Sequence, residues 1–125
     1  DLPILCKYFP AFESITWAFT RKPDGGSIAG IGYTGMAGGW YGETGDLDND
    51  GINEPDCVEC GSGFLEISFF EGFGKNHDSC LGFCMNYALE KYILTHGIND
   101  YTIGNIQKFI LFGDSSLKIG EYDYN

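Results

Sequence analysis

Asp46, Asp48 and Asp50 alternate along the chain and are followed directly by Gly51. A calcium ion takes about six to eight oxygen ligands, and alternate carboxylates ahead of a glycine turn wrap such an ion, as in the first half of an EF-hand loop. In that reading the Ile52 backbone carbonyl adds a ligand, and Asp56, Glu54 or Glu59 closes the shell. The last ligand position of an EF-hand falls on Cys57, which carries no oxygen, and the flanking sequence does not supply EF-hand helices. The expectation is therefore a DxDxDG loop of the kind found in extracellular proteins. The competing reading is a solvated acidic turn, although three carboxylates spaced this way repel one another unless a cation sits among them.

Thiols are the second candidate for chemistry. The chain has five cysteines, an odd number that leaves one over if the rest pair. Cys57 and Cys60, with Cys80 and Cys84, have spacings that suit a four-thiolate zinc site. The same four suit disulfides in an oxidising compartment. Cys84 also falls on an apolar stripe, where a plain buried thiol is the third reading. Spacing leaves the three open. Cys6 stands apart at the end of a predicted strand, where reactive groups of open α/β sheets gather. A nucleophilic cysteine needs a base, normally histidine. Only His77 and His96 are present; His77 lies in a polar loop, and His96 at a helix C-terminus, where the dipole favours its cation. Neither forms a convincing dyad with Cys6. The stretch Gly30–Gly35 matches G-x-G-x-x-G, but a dinucleotide site needs a helix to begin there, and the residues that follow are not helix formers.

The elements that must position these groups follow from pattern. At 125 residues with 43% hydrophobic and 16% aromatic residues, the chain is long enough for one domain with a core of its own. A net charge of −11 argues against nucleic acid, whose phosphates call for Lys and Arg, and suits bound divalent cations. No apolar run reaches the roughly 18 residues of a membrane span. Leu2–Phe9 reads as a buried strand, Phe12–Arg21 as an amphipathic helix and Ser27–Tyr33 as a second strand. Residues Thr34 to Gly63 lack apolar period and form a long loop, expected to be functional or ordered by an ion. Phe64–Phe73 reads as a helix. Ser79–Leu94 is a helix with Leu81, Cys84, Ala88 and Tyr92 on one stripe, ended by Gly97. Thr102–Phe112 runs from helix into strand, and Ser116–Ile119 reads as an edge strand. Strands separated by helices predict an α/β fold with a mostly parallel sheet.

Several of these segments resemble the gingipain-type cysteine peptidases (peptidase family C25). Pro23–Tyr33 is similar to the family's Gly-rich turn and core strand, Leu81–Tyr92 to its late helix, and Gly113–Ile119 to its closing Gly-Asp-Pro-Ser-Leu signature, with Ser115 in place of the proline. The resemblance implies a caspase-like fold, present here as the C-terminal part of the peptidase domain (residues 1–125) with a calcium-loop insertion at about 42–62. It also implies extracellular or cell-surface placement, structural calcium, a protein or peptide substrate, and a Cys–His dyad whose histidine lies upstream, in an N-terminal half outside these residues. Cys6 falls near the nucleophile position and Trp40 where the family lines the pocket for the substrate side chain next to the cleaved bond. The match departs from the pattern around Cys6, where Lys7–Phe12 contains no glycine, and at Trp17, where an acidic residue is usual. A catalytically inactive, calcium-binding adhesion module of the same fold is the alternative the departures favour.

Overall fold

In a computed structural model the described residues are 14–76 and 79–120, with the backbone of 5–6 and 9–10. Leu5–Cys6 (β1) and Phe9–Pro10 (β2) pair antiparallel as two short strands, where one continuous strand was expected. Ile15–Thr20 (α1) opens on Ser14, whose hydroxyl accepts the Trp17 N–H at 3.2 Å, an N-cap that satisfies one of the helix's orphan donors. Ala29–Tyr33 (β3) follows. After a long loop come Asp56–Glu59 (α2), Gly61–Asn76 (α3), Leu81–His96 (α4), Asp100–Ile106 (α5) and Phe109–Gly113 (β4). Asn99 caps α5 reciprocally with Thr102, its side chain accepting the Thr102 N–H while Thr102 Oγ1 accepts the Asn99 N–H.

The sheet departs from expectation. β3 and β4 pair antiparallel, Ala29 opposite Gly113 and Tyr33 opposite Phe109, so the fold is mixed α and β, and the mostly parallel sheet of a caspase-like domain is not what these strands form. Helix–strand alternation predicts parallel pairing only when each crossover returns to the same edge in the same sense. Here α3, α4 and α5 all lie between β3 and β4 in sequence, and the last crossover returns reversed. β1 pairs with β2 and not with β3, so among the described strands the Cys6 segment and the Ala29–Tyr33 strand do not share one sheet, as a single mostly parallel sheet would require. The predicted edge strand at Ser116–Ile119 reduces to a single bridge between Cys80 and Lys118.

The core lies where α3 and α4 pack together against one face of the β3–β4 ribbon. Phe64, Leu65, Phe69, Leu81, Cys84, Ala88, Tyr92 and Phe109 are buried, with Ala29, Ile31, Tyr33 and Leu111 packed against them. The stripe read from the sequence (Leu81, Cys84, Ala88, Tyr92) is the buried face of α4. On the other face of the ribbon α1 comes close: a Cβ at Gly30 or Gly32 would sit 2.8 and 2.7 Å from the Thr16 side chain. Gly30 and Gly32 thus serve helix–strand contact, and no helix begins directly after the G-x-G-x-x-G stretch.

Candidate functional site

The acidic loop is folded onto itself by its own backbone. The Asp50 N–H donates to Asp46 Oδ1 at 3.1 Å, the Gly51 N–H to Asp46 Oδ2 at 2.9 Å and the Ile52 N–H to Asp50 Oδ1 at 2.8 Å. Asn49 and Gly51 take positive φ angles of 60° and 92°, and these left-handed residues turn the chain sharply enough to face the three carboxylates inward. One ligand oxygen from each of Asp46, Asp48 and Asp50 lies within 4.8 Å of the others. Burial first, and then the charges of Asp50, Glu59 and Asp46, push the Asp48 carboxyl above its ordinary value. Ordinary carboxylates that crowd each other this way form a set a divalent cation would relieve.

Two buried carboxylates hold this loop to the helical body. Asp56 is fully buried and accepts the Thr44 N–H at 2.7 Å and the Thr44 hydroxyl at 3.0 Å. Glu59 is 1% exposed and accepts the Leu47 N–H at 2.6 Å through Oε2 and the Glu54 N–H through Oε1. Both sit on α2, a single turn whose sequence role is to place them. The structure puts Asp56, expected as a ligand, apart from the triad, with both oxygens engaged by Thr44. It braces the loop. Ile52 is 59% exposed and its N–H is committed to Asp50. Buried carboxylates fully paired with backbone N–H groups are strong acceptors, and nothing in hydropathy pattern distinguishes Glu59 from the exposed Glu54 five positions before it.

The same loop walls a cavity of about 360 Å³ lined by Trp40, Thr44, Leu47, Cys60, His96, Asn99, Tyr101 and Thr102. Trp40 meets Tyr101 edge-on at 6.3 Å between ring centroids and is 54% exposed, so its indole face is open to an incoming group. Some polar groups of the lining are already spent, while the buried His96 Nε2 has no hydrogen-bond partner among the described residues. Asn99 and Thr102 cap α5, and Thr44 is tied to Asp56. No carboxylate lines the cavity, so its walls favour an apolar or aromatic side chain over a cationic one. The nearby acids Asp56 and Glu59 are instead engaged by the loop backbone.

The thiols and imidazoles fall as follows. None of Cys57, Cys60, Cys80 and Cys84 is in a disulfide, and the only close group of three or more potential ligands among the described residues is the aspartate triad. The four cysteines are therefore not gathered into a zinc site. Cys80 donates its S–H to the Ser115 carbonyl at 3.1 Å. Cys60 and His96 do line one cavity, a juxtaposition the sequence did not suggest because 36 positions separate them. Burial, however, raises the Cys60 thiol and lowers the His96 imidazole. Those shifts oppose a thiolate–imidazolium pair. His96 was expected as a dipole-stabilised cation; it packs instead against the rings of Phe64 at 4.8 Å and Tyr92 at 5.0 Å, and desolvation outweighs the helix terminus. Cys6 lies in β1, and only its backbone is described; His77 lies outside the described residues. No family model matches the chain, and neither a curated protein nor a solved structure does.

Proposed function

We propose that this chain is the substrate-recognition part of a calcium-braced cysteine endopeptidase of the gingipain type, acting outside the cell. The observation that carries the reading is that one loop does two jobs. Its Asp46, Asp48 and Asp50 oxygens converge within 4.8 Å, and its Thr44 and Leu47 form a wall of the cavity that Trp40 lines. A calcium ion held by the three carboxylates fixes that wall, and the cavity takes the side chain beside the scissile bond, with Trp40 as its open aromatic face. The ordered sequence resemblance at Pro23–Tyr33, Leu81–Tyr92 and Gly113–Ile119 supports the peptidase class. In such a reaction a thiolate attacks the peptide carbonyl, and histidine first takes the thiol proton and later gives it to the leaving amine. Cys6 as nucleophile would depend on a histidine upstream of these residues. Labelling the full-length protein with a thiol-reactive peptide probe tests it: modification at Cys6 in the presence of calcium is expected, and an unlabelled Cys6 would remove the catalytic role.

A second reading has its own observation. β1 pairs with β2 and not with β3, so the Cys6 strand does not lie beside the core strand it would need to join. That favours a non-catalytic calcium-ordered binding module of adhesive type, using the same loop and the same cavity. It predicts calcium-dependent peptide binding with no probe labelling.

A further inference from the structure

The register of the β3–β4 ribbon fixes which backbone groups remain available. The Thr34 N–H donates to the Lys108 carbonyl at 2.9 Å, which makes Thr34–Lys108 a hydrogen-bonded pair. Hydrogen-bonded and non-hydrogen-bonded pairs alternate in an antiparallel ladder. Gly32–Ile110 and Gly30–Phe112 are therefore the next bonded pairs, and Phe109, Leu111 and Gly113 point their N–H and C=O groups away from β3. Among the described residues no loop or turn hydrogen bond takes up those groups, and β4 has no second strand neighbour. An edge of this kind is a template for another strand.

We propose that β4 is a homodimer edge, on which a second copy of this chain lays its own β4 antiparallel about a two-fold axis at Leu111. Centring the pairing at Leu111 matches the outward groups Phe109, Leu111 and Gly113 with Gly113, Leu111 and Phe109 of the other copy, forming about six backbone hydrogen bonds. The same register sets Ile110 against Phe112 and Lys108 against Asp114, each twice by symmetry, at the non-hydrogen-bonded positions where side chains approach most closely. A β-branched residue against an aromatic and a cation against an anion are the cross-strand pairs that stabilise a sheet. Asp114 is free to take the role: its turn bonds to the Ser116 N–H and hydroxyl both fall on Oδ1, leaving Oδ2 for the lysine. Among the described residues the Lys108 ammonium is tied only to the exposed Met36 carbonyl, at 3.1 Å. The outer edge of β3 offers nothing comparable. Self-pairing about Ile31 would set Gly30 against Gly32 and Ile28 against Thr34, with no side chains to interlock at the first pair and no charge complement at the second. The net charge of −11 opposes association, so the dimer belongs to physiological salt, where the Debye length is about 8 Å.

This inference is independent of the peptidase reading. Sedimentation equilibrium of the protein at about 0.15 M salt is expected to show a monomer–dimer equilibrium. Lys108→Glu, which sets two acids face to face at both ends of the pairing, weakens it about tenfold. The charge exchange Lys108→Glu with Asp114→Lys restores it. A monomer at every concentration up to the millimolar range overturns the proposal. So does a dimer indifferent to Lys108→Glu, or one the charge exchange fails to restore.

Discussion

Glu59→Gln isolates the brace that holds the acidic loop. Glu59 is 1% exposed, and its two carboxylate oxygens accept the Leu47 and Glu54 N–H groups. Glutamine has nearly the same shape but only one acceptor end, so one backbone N–H must face an NH₂ group, donor against donor. The other keeps its partner and loses the charge. Hydrogen bonds to charged groups contribute about 1.5–3 kcal/mol each, and a buried donor left unpaired costs about 1–3 kcal/mol. The sum is a destabilisation of about 3–4 kcal/mol, a large part of the roughly 5–15 kcal/mol that holds a domain together. At about 4 °C per kcal/mol for a domain of this size, the melting temperature drops by about 12–16 °C. Urea unfolding followed by circular dichroism gives the free energy directly, with Glu54→Gln as the control: Glu54 is exposed, and its replacement stays within about 0.5 kcal/mol of the parent. Equal losses for Glu54→Gln and Glu59→Gln, or a Glu59→Gln loss below about 1 kcal/mol, would refute the brace.

Three further outcomes follow from the geometry. Gly61→Ala forces a side chain onto a residue with φ of 68°, where its Cβ would lie 2.4 Å from the Gly38 carbonyl and 2.6 Å from Tyr101 Oη. Unfolding titrations should show a loss of about 2–4 kcal/mol from clash and left-handed strain together, and Trp40 fluorescence should shift as Tyr101 moves. His96, held below its ordinary value first by burial, gives the unfolded chain a proton that the folded one declines. Stability therefore falls as pH drops below about 6.5, by at most about 1.4 kcal/mol per pH unit, until the folded pKa is reached; His96→Leu flattens that slope in denaturant titrations across pH. For Glu71, burial pushes the carboxyl up, but hydrogen bonds from Lys75 and Lys91 outweigh it and hold the group below its ordinary value. Its stabilising contribution is present above the unfolded value near 4.3 and lost as pH falls through the folded one. Partial exposure limits it to under about 1 kcal/mol, and Glu71→Gln should remove that acid-side loss in the same titrations.

The longer helices were legible from their apolar period, whereas α2 lies inside the stretch read as a loop. The stripe Leu81, Cys84, Ala88 and Tyr92 repeats at helical spacing and Gly97 closes it, so α4 appears in the sequence with little ambiguity. α3 begins at Gly61, three residues before the apolar run suggested, because its glycines and Ser62 carry no periodic signal. The strand directions were not legible. Apolar runs such as Ala29–Tyr33 and Phe109–Gly113 announce strands but say nothing of parallel or antiparallel pairing, which long-range packing decides. In the site, the aspartate alternation was visible because it is local. Asp56 and Glu59 could not be told from solvated acids, since their partners are backbone N–H groups 5 to 12 positions away. The meeting of Cys60, His96 and Trp40 around one cavity is likewise set by how α4 and α5 pack.

The proposed cation in the acidic loop would fix the wall of the Trp40 cavity. Calcium titration followed by tryptophan fluorescence, in a Trp17→Phe background so that Trp40 alone reports, tests both parts at once. A saturable change that is abolished by chelator and by Asp48→Asn is the predicted result. Fluorescence that stays flat through millimolar calcium, or a change that Asp48→Asn leaves intact, would contradict it.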